Sequence, residues 1–128
     1  MAAAGKSLLI EFRYETKAPR EGSFLFLGMT TSEDYLEFNK KSWDSRVEAH
    51  VESDFYDMAS FLNGKSSLNE IESALLVDVK EKSILHLQCH FGQDTLSLQR
   101  LGSRCVGVDL SEKAIEKARS LNDKLGLD

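Results

Sequence analysis

Residues 85–95 read LHLQCHFGQDT, and the way this stretch breaks decides the fold. From Ser83 to Cys89 the chain has the period of a strand. It breaks at Gln88-Cys89-His90 and passes through a single glycine, Gly92, into Asp94 and Thr95. Immediately downstream, TLSLQRLG has the pattern of a short helix and RCVGVDL, residues 104–110, that of a second strand. Residues 111–126, SEKAIEKARSLNDKLG, form an amphipathic helical pattern with Ser111 as its cap, Gly126 as its stop and an apolar stripe of Ala114, Ile115, Ala118, Leu121 and Leu125. Strand, helix, strand, helix is the start of an α/β fold of the Rossmann-like, doubly wound parallel kind.

In such a unit a ligand lies beyond the carboxyl ends of the strands, where the first strand gives way to its helix. The turn at 88–94 occupies that place, and Asp109 ends the second strand beside it. Asp109 follows the start of the turn at the spacing of a ribose-binding carboxylate, ~20 residues on. An ionised carboxylate can accept both ribose hydroxyls in charge-assisted hydrogen bonds. The alternative reading is that Asp109 caps the helix that starts at Ser111.

Upstream, the chain divides into two further segments. Residues 1–28 hold an alternating stretch, SLLIEFRY, and a second apolar run, SFLFLG, separated by KAPREG with the only proline. They are expected to form a leader or loose hairpin, so that a product beginning at Met29 folds as well as the full chain. Residues 29–79 are expected to form a helical cap. Its first helix starts near Ser32 with Leu36, Trp43 and Val47 on a thin stripe; its second follows Ser53 with Phe55, Met58, Ala59 and Leu62 on one face, making Phe55 and Met58 core. The third is expected to open on a capping box of Ser67 and Glu70 and to bury Leu68, Ile71, Leu75 and Leu76. Residues 80–128 then carry the first strand-helix-strand-helix unit.

At this point the residues carry a resemblance. ILHLQCHFGQDT followed by VGVDLSEKAIEKAR resembles the first two motifs of class I methyltransferases that use S-adenosylmethionine. In the usual form the first motif reads roughly hLDLGCGTG; laid over it, His86 falls on the acid, Gln88 and His90 on the first two glycines, and Gly92 keeps the third. The stretch is more closely similar to a bacterial-type branch in which LHLQCHFGQDT is itself the motif, preceded by a helical W..R...H..S.FYD segment. This chain has that segment as Trp43, Arg46, His50, Ser53, Phe55, Tyr56 and Asp57. The likeness covers about residues 35–128.

The resemblance implies S-adenosyl-L-methionine as cofactor, held by Gln88, Cys89, His90, Gly92, Asp94, Thr95, Asp109 and Leu110. It identifies no catalytic residue. A sulfonium cofactor has no pyrophosphate, so the turn need not aim several amides at a dianion, and Gly92 can supply the close backbone approach. Position 86 departs from the pattern, because a neutral imidazole offers the cofactor's ammonium less than a carboxylate would. Trp43, Arg46 and His50 share one helix face and either close over the cofactor or substrate, or serve structure, with Trp43 in the core and Arg46 paired to an acid. The resemblance also implies further strands, so the sheet is expected to be incomplete at residue 128, leaving an apolar edge at Leu85 and Leu87 and an isolated chain that self-associates and shows no methyl transfer.

Composition narrows the alternatives. The net charge of −5 provides no basic footprint for nucleic acid and weighs against RNA as the methyl acceptor; a small molecule or a protein is expected, and the residues do not choose between them. No stretch approaches the ~20 apolar residues of a membrane span, and the chain is expected to be cytoplasmic. Cys89 and Cys105 are expected to lie ~13 Å apart along neighbouring strands, beyond the ~7 Å that a disulfide allows. His86, Cys89 and His90 cluster without a second Cys/His pair to complete a metal site, so no metal is expected. Two rival functions share the frame. An NAD(P)-dependent oxidoreductase wants a GxGxxG turn that QCHFGQ lacks, and a non-catalytic binding module or remnant would keep the frame without the chemistry.

Overall fold

The computed structural model describes residues 11–14 and 32–127 of the 128-residue chain. In order, these form strand β1 (Glu11–Tyr14), helices α1 (Ser32–Val51), α2 (Met58–Leu62) and α3 (Glu70–Leu75), strand β2 (Ser83–Leu87), helix α4 (Gln93–Arg100), strand β3 (Arg104–Asp109) and helix α5 (Glu112–Leu125). The architecture is mixed α/β around a parallel sheet of order β1-β3-β2. Ser83 to Leu87 pair in register with Arg104 to Val108, and Glu11 to Tyr14 pair with Val106 to Asp109. Part of the expected leader is therefore a strand of the sheet. Glu11–Tyr14 run parallel to β3, and a product beginning at Met29 would lose them; the second run of the expected hairpin, SFLFLG, lies outside the described residues.

Strand alternation sends successive side chains to opposite faces of the sheet, and the two faces differ. Ile84 packs with buried Cys105, Val79 and Leu98 of α4. Leu85 and Leu87 project to the other face and are 61% and 65% exposed, and β2 has no neighbour on its outer edge among the described residues. The larger core lies between the helices. Phe61, Cys89, Phe91 and Leu96 pack with Ile115, Ala118 and Leu121 of α5, and Val51, Met58 and Leu125 close round them. The stripe expected for α5 is thus the buried one, and its ends are those expected: Ser111 accepts the N–H of Ala114, and Gly126 stands at the left-handed C-terminal position with φ 61°.

The cap departs from expectation in its two short helices. α2 starts at Met58 rather than after Ser53, because Asp57 takes a left-handed conformation and accepts the Ser60 amide. That leaves Phe55 ahead of the helix and 87% exposed, so it is not core; Phe61 is. The capping box of α3 is formed by Asn69 and Glu72, each bonding the other's backbone N–H at 2.9 and 2.8 Å. Ser67 is drawn away by α4, where its amide and hydroxyl both meet Ser97 Oγ. The shift of the helix start rotates its faces, so that Leu68 and Leu76 pack inward while Ile71 and Leu75 are exposed.

α1 buries Val47 and packs Val51 against the core, and its polar contacts with α5 centre on one carboxylate. Asp44 accepts the Ser111 hydroxyl at 2.6 Å and the Lys113 amide at 3.2 Å, both at the start of α5, and Lys40 bridges Asp44 and Glu112 at 3.0 Å each. Burial raises the Asp44 pKa, but hydrogen bonds from Ser111, Lys40 and the Lys113 amide outweigh it and hold the carboxyl below its usual range. No helix among the described residues is long and apolar enough to cross a membrane.

Candidate functional site

The turn between β2 and α4 alternates handedness. Gln88, His90 and Gly92 have φ of 57°, 51° and 79°, while Cys89 and Phe91 between them send their side chains into the core. Left-handed backbone costs a residue with a Cβ roughly 1–2 kcal/mol, so two non-glycine residues in this state need support from outside. Asp109 provides it. Its Oδ2 accepts the His90 amide at 2.8 Å and its Oδ1 accepts the Ser111 amide at 2.8 Å, while the Gly92 amide closes on the Cys89 carbonyl at 2.8 Å. Asp109 thus braces both turns that leave the strand ends, and Ser111, not Asp109, caps α5.

A cleft of about 510 Å³ opens beside this turn, within the range of small-molecule sites. One wall is the turn, with His86, Gln88 and Asp94; the other comes from the cap, with Phe55, Tyr56 and Glu72. Of the residues expected to hold a cofactor, Gln88, Cys89, His90, Gly92 and Asp94 line this cleft. Thr95 is fully buried behind it and bonds His86 Nδ1 at 2.8 Å. Asp109 and Leu110 do not line it. Cys89 contributes main chain, because its side chain is core and burial, reinforced by the Asp109 charge, pushes the thiol up to about 12. Burial also raises Cys105, and both cysteines are free. Among the described residues no three His, Cys, Asp or Glu side chains gather as a metal site.

Trp43, Arg46 and His50 do come together, on the flank of the turn and outside the cleft lining. His50 Nδ1 and His90 Nε2 share a hydrogen bond of 3.3 Å, and Tyr56 stacks on both imidazoles at 5.4 and 5.7 Å. Trp43 meets both histidines edge-on and is 41% exposed, so it is not core, and the Arg46 guanidinium sits 5.2 Å over its ring rather than on an acid. Burial, with a contribution from His50, lowers the His90 pKa against an opposing effect of Asp109, so His90 is neutral at pH 7. Its Nδ1 is buried with no hydrogen-bond partner.

Sequence reasoning missed Tyr56 as a site element. Its ring lies between cap and turn, its carbonyl accepts Gln93 Nε2 at 2.8 Å, and burial together with the Asp94 charge raises its phenol. The signal available was its place in the segment that also carries Trp43, Arg46 and His50. No protein-family model, curated protein or solved structure matches the chain.

Proposed function

We propose that this chain binds S-adenosylmethionine through the turn at 88–94 of a Rossmann-like unit and serves methyl transfer to a small-molecule or protein acceptor. The observation that carries the reading is the alternation of left-handed backbone at Gln88, His90 and Gly92, braced by an acid at the end of the neighbouring strand. Such a turn offers main chain at close range, while the side chains at 88 and 90 crowd the place where a pyrophosphate would need bare amides. That favours a sulfonium nucleoside over a dinucleotide.

The residues present fit the amino-acid end of that cofactor: Gln88, His90, Gly92 and Asp94 line the cleft that would receive it. Asp109 keeps lone pairs beyond its two amide bonds, which is the capacity a ribose contact requires. When bound, the cofactor supplies a methyl group already activated for displacement. The chain's part is then to bind, orient and exclude water, for which the Trp43, His50, Tyr56 and His90 cluster supplies a fixed flank.

Ligand-observed NMR on the chain, with S-adenosylhomocysteine and NAD in parallel, tests the reading. The expected result is saturation transfer to S-adenosylhomocysteine with a dissociation constant below about 1 mM, and none to NAD. Preferential binding of NAD would favour the oxidoreductase, and silence from both a non-catalytic module.

A further inference from the structure

Two histidines join the cap to the turn. His50 lies in the last turn of α1, and its Nδ1 meets Nε2 of His90 at 3.3 Å. Tyr56, which lines the cleft from the cap side, stacks on both imidazoles, and Trp43 meets both edge-on. Residues 52–57, which carry Tyr56, form neither helix nor strand and lie between two anchors, Val47 buried on α1 and Phe61 buried on α2. The protonation of the pair follows from one atom. His90 Nδ1 is buried with no hydrogen-bond partner among the described residues, and an orphaned lone pair there costs less than an orphaned N–H, so the neutral ring keeps its proton on Nε2. His90 Nε2 therefore donates to His50 Nδ1, and the proton of His50 stands on its own Nε2.

An added proton has no good place in this arrangement. On His90 it makes Nδ1 a buried donor without an acceptor, and on His50 it sets two N–H groups head to head across 3.3 Å. From this we infer that the contact between His50 and His90 is a clasp that one proton releases, so that acidification frees residues 52–57, and Tyr56 with them, from the turn and opens the cleft on its cap side. The groups around the pair do not hold it shut. Tyr56 and Trp43 are uncharged at neutral pH, Asp94 bears on Tyr56, and Arg46, over the Trp43 ring, is itself a cation. Asp109 favours a proton on His90, but its two oxygens are engaged by the His90 and Ser111 amides. Burial first and His50 second outweigh it and lower the His90 pKa, so the closed form is complete above about pH 6.5 and is lost as pH falls through the lowered value. The clasp regulates the cleft that the proposed function gives to a cofactor, but it does not rest on that reading.

Hydrogen exchange read by mass spectrometry on the full chain without ligand, at about pH 7.5 and about pH 5.5 and corrected for the intrinsic effect of pH on the rate, tests the clasp. Residues 52–57 should lose protection roughly five- to tenfold at the lower pH, since one proton linked to opening supplies up to a factor of about ten per pH unit, while residues 114–121 of α5 keep theirs. His90→Gln should remove the response, because a glutamine amide can turn to offer His50 either a donor or an acceptor. His50→Gln should keep part of it, because a second proton on His90 still falls on the partnerless Nδ1. Unchanged protection of residues 52–57 in the wild type overturns the clasp, and so does an equal loss in wild type and His90→Gln. Loss at 52–57 and 114–121 together also overturns it, because the event is then global unfolding. The comparison of the two segments in the wild type decides the matter even where a variant fails to fold. No ligand enters the measurement, so a negative result leaves the proposed function standing.

Discussion

The backbone N–H of His90 donates to Asp109 Oδ2 at 2.8 Å, so the acid that ends one strand fixes the left-handed turn that ends the next. Removing that carboxylate should therefore affect stability as well as any ligand. Asp109→Ala leaves the His90 and Ser111 amides without their acceptor and is expected to cost about 1.5–3 kcal/mol in urea unfolding. Asp109→Asn, which keeps one carbonyl oxygen for one of the two amides, should fall between Ala and wild type. An Ala variant as stable as wild type would show that the brace is dispensable.

Gly92 and Gly126 both hold positive φ, at 79° and 61°, but only Gly92 borders the cleft. An alanine at either position should lose about 1–2 kcal/mol of stability from backbone strain. Nothing lies within 4 Å of where a Cβ on Gly126 would stand, so Gly126→Ala reports strain alone. Gly92→Ala should in addition weaken S-adenosylhomocysteine, and calorimetry on the pair separates the two effects. Matching ligand affinities in the two variants would remove Gly92 from the site.

His90 makes stability depend on pH in a defined window. His90 is lowered by burial and by His50, with Asp109 opposing; Tyr56, Trp43 and Phe91 face it without charge at neutral pH. Because the folded pKa lies below the ordinary 6.5, the folded state takes up its proton later than the unfolded chain as pH falls. The contribution is complete above about pH 6.5 and is lost as pH drops through the lowered folded value. Asp44, also lowered, acts in a separate window, losing its contribution only as pH falls below the ordinary carboxylate value of 3.8. Urea midpoints between pH 7.5 and 5 should decline for wild type and flatten for His90→Gln. An equal decline in both would assign the pH dependence elsewhere.

Two phenylalanines six residues apart should answer oppositely to truncation. Phe61 is 2% exposed and carries the Arg100 guanidinium 4.5 Å over its ring, so Phe61→Ala is expected to cost about 3–5 kcal/mol. Phe55→Ala should stay within about 0.5 kcal/mol, as surface substitutions do. Thermal melts of the two variants decide it, and a large loss at Phe55 would mean that its ring is covered in solution.

Leu85 and Leu87 form an apolar stripe beside an edge of β2 that has no neighbour among the described residues, and such an edge is a template for another chain. Light scattering on the chain should show association that rises with concentration, and Leu85→Lys combined with Leu87→Lys should suppress it. A monodisperse monomer with both leucines in place would contradict the expectation.

Long-period patterns were legible in the sequence and short-range competition was not. α5 announced its cap, its stripe and its stop, because fourteen residues give the period room to repeat. β2 and β3 were placed within two residues, since alternation and the flanking turns agree. The two short helices misled, each for a local reason: Asp57 adopted a left-handed cap that no pattern marks, and Ser67 had a better partner in Ser97. Spacing placed the turn and Asp109 at neighbouring strand ends, but the brace between them depends on backbone handedness. A sequence with glutamine at 88 and histidine at 90 does not advertise that handedness, because left-handed positions favour glycine.

The parallel pairing of Glu11–Tyr14 with β3 has a consequence for the order of folding. As the chain leaves the ribosome, β1 is made well before its partner, with helices α1 to α4 and strand β2 between them. The sheet cannot close until β3 has emerged, and the loop entropy of bringing so distant a segment home is met in one late step. Helices α1 to α4 can form beforehand, but the docking of α1 through Asp44 also waits for Ser111. β1 and α1 are therefore committed to the native state together with β3 and α5, and nascent chains stalled before residue 104 should be protease-sensitive at Glu11–Tyr14.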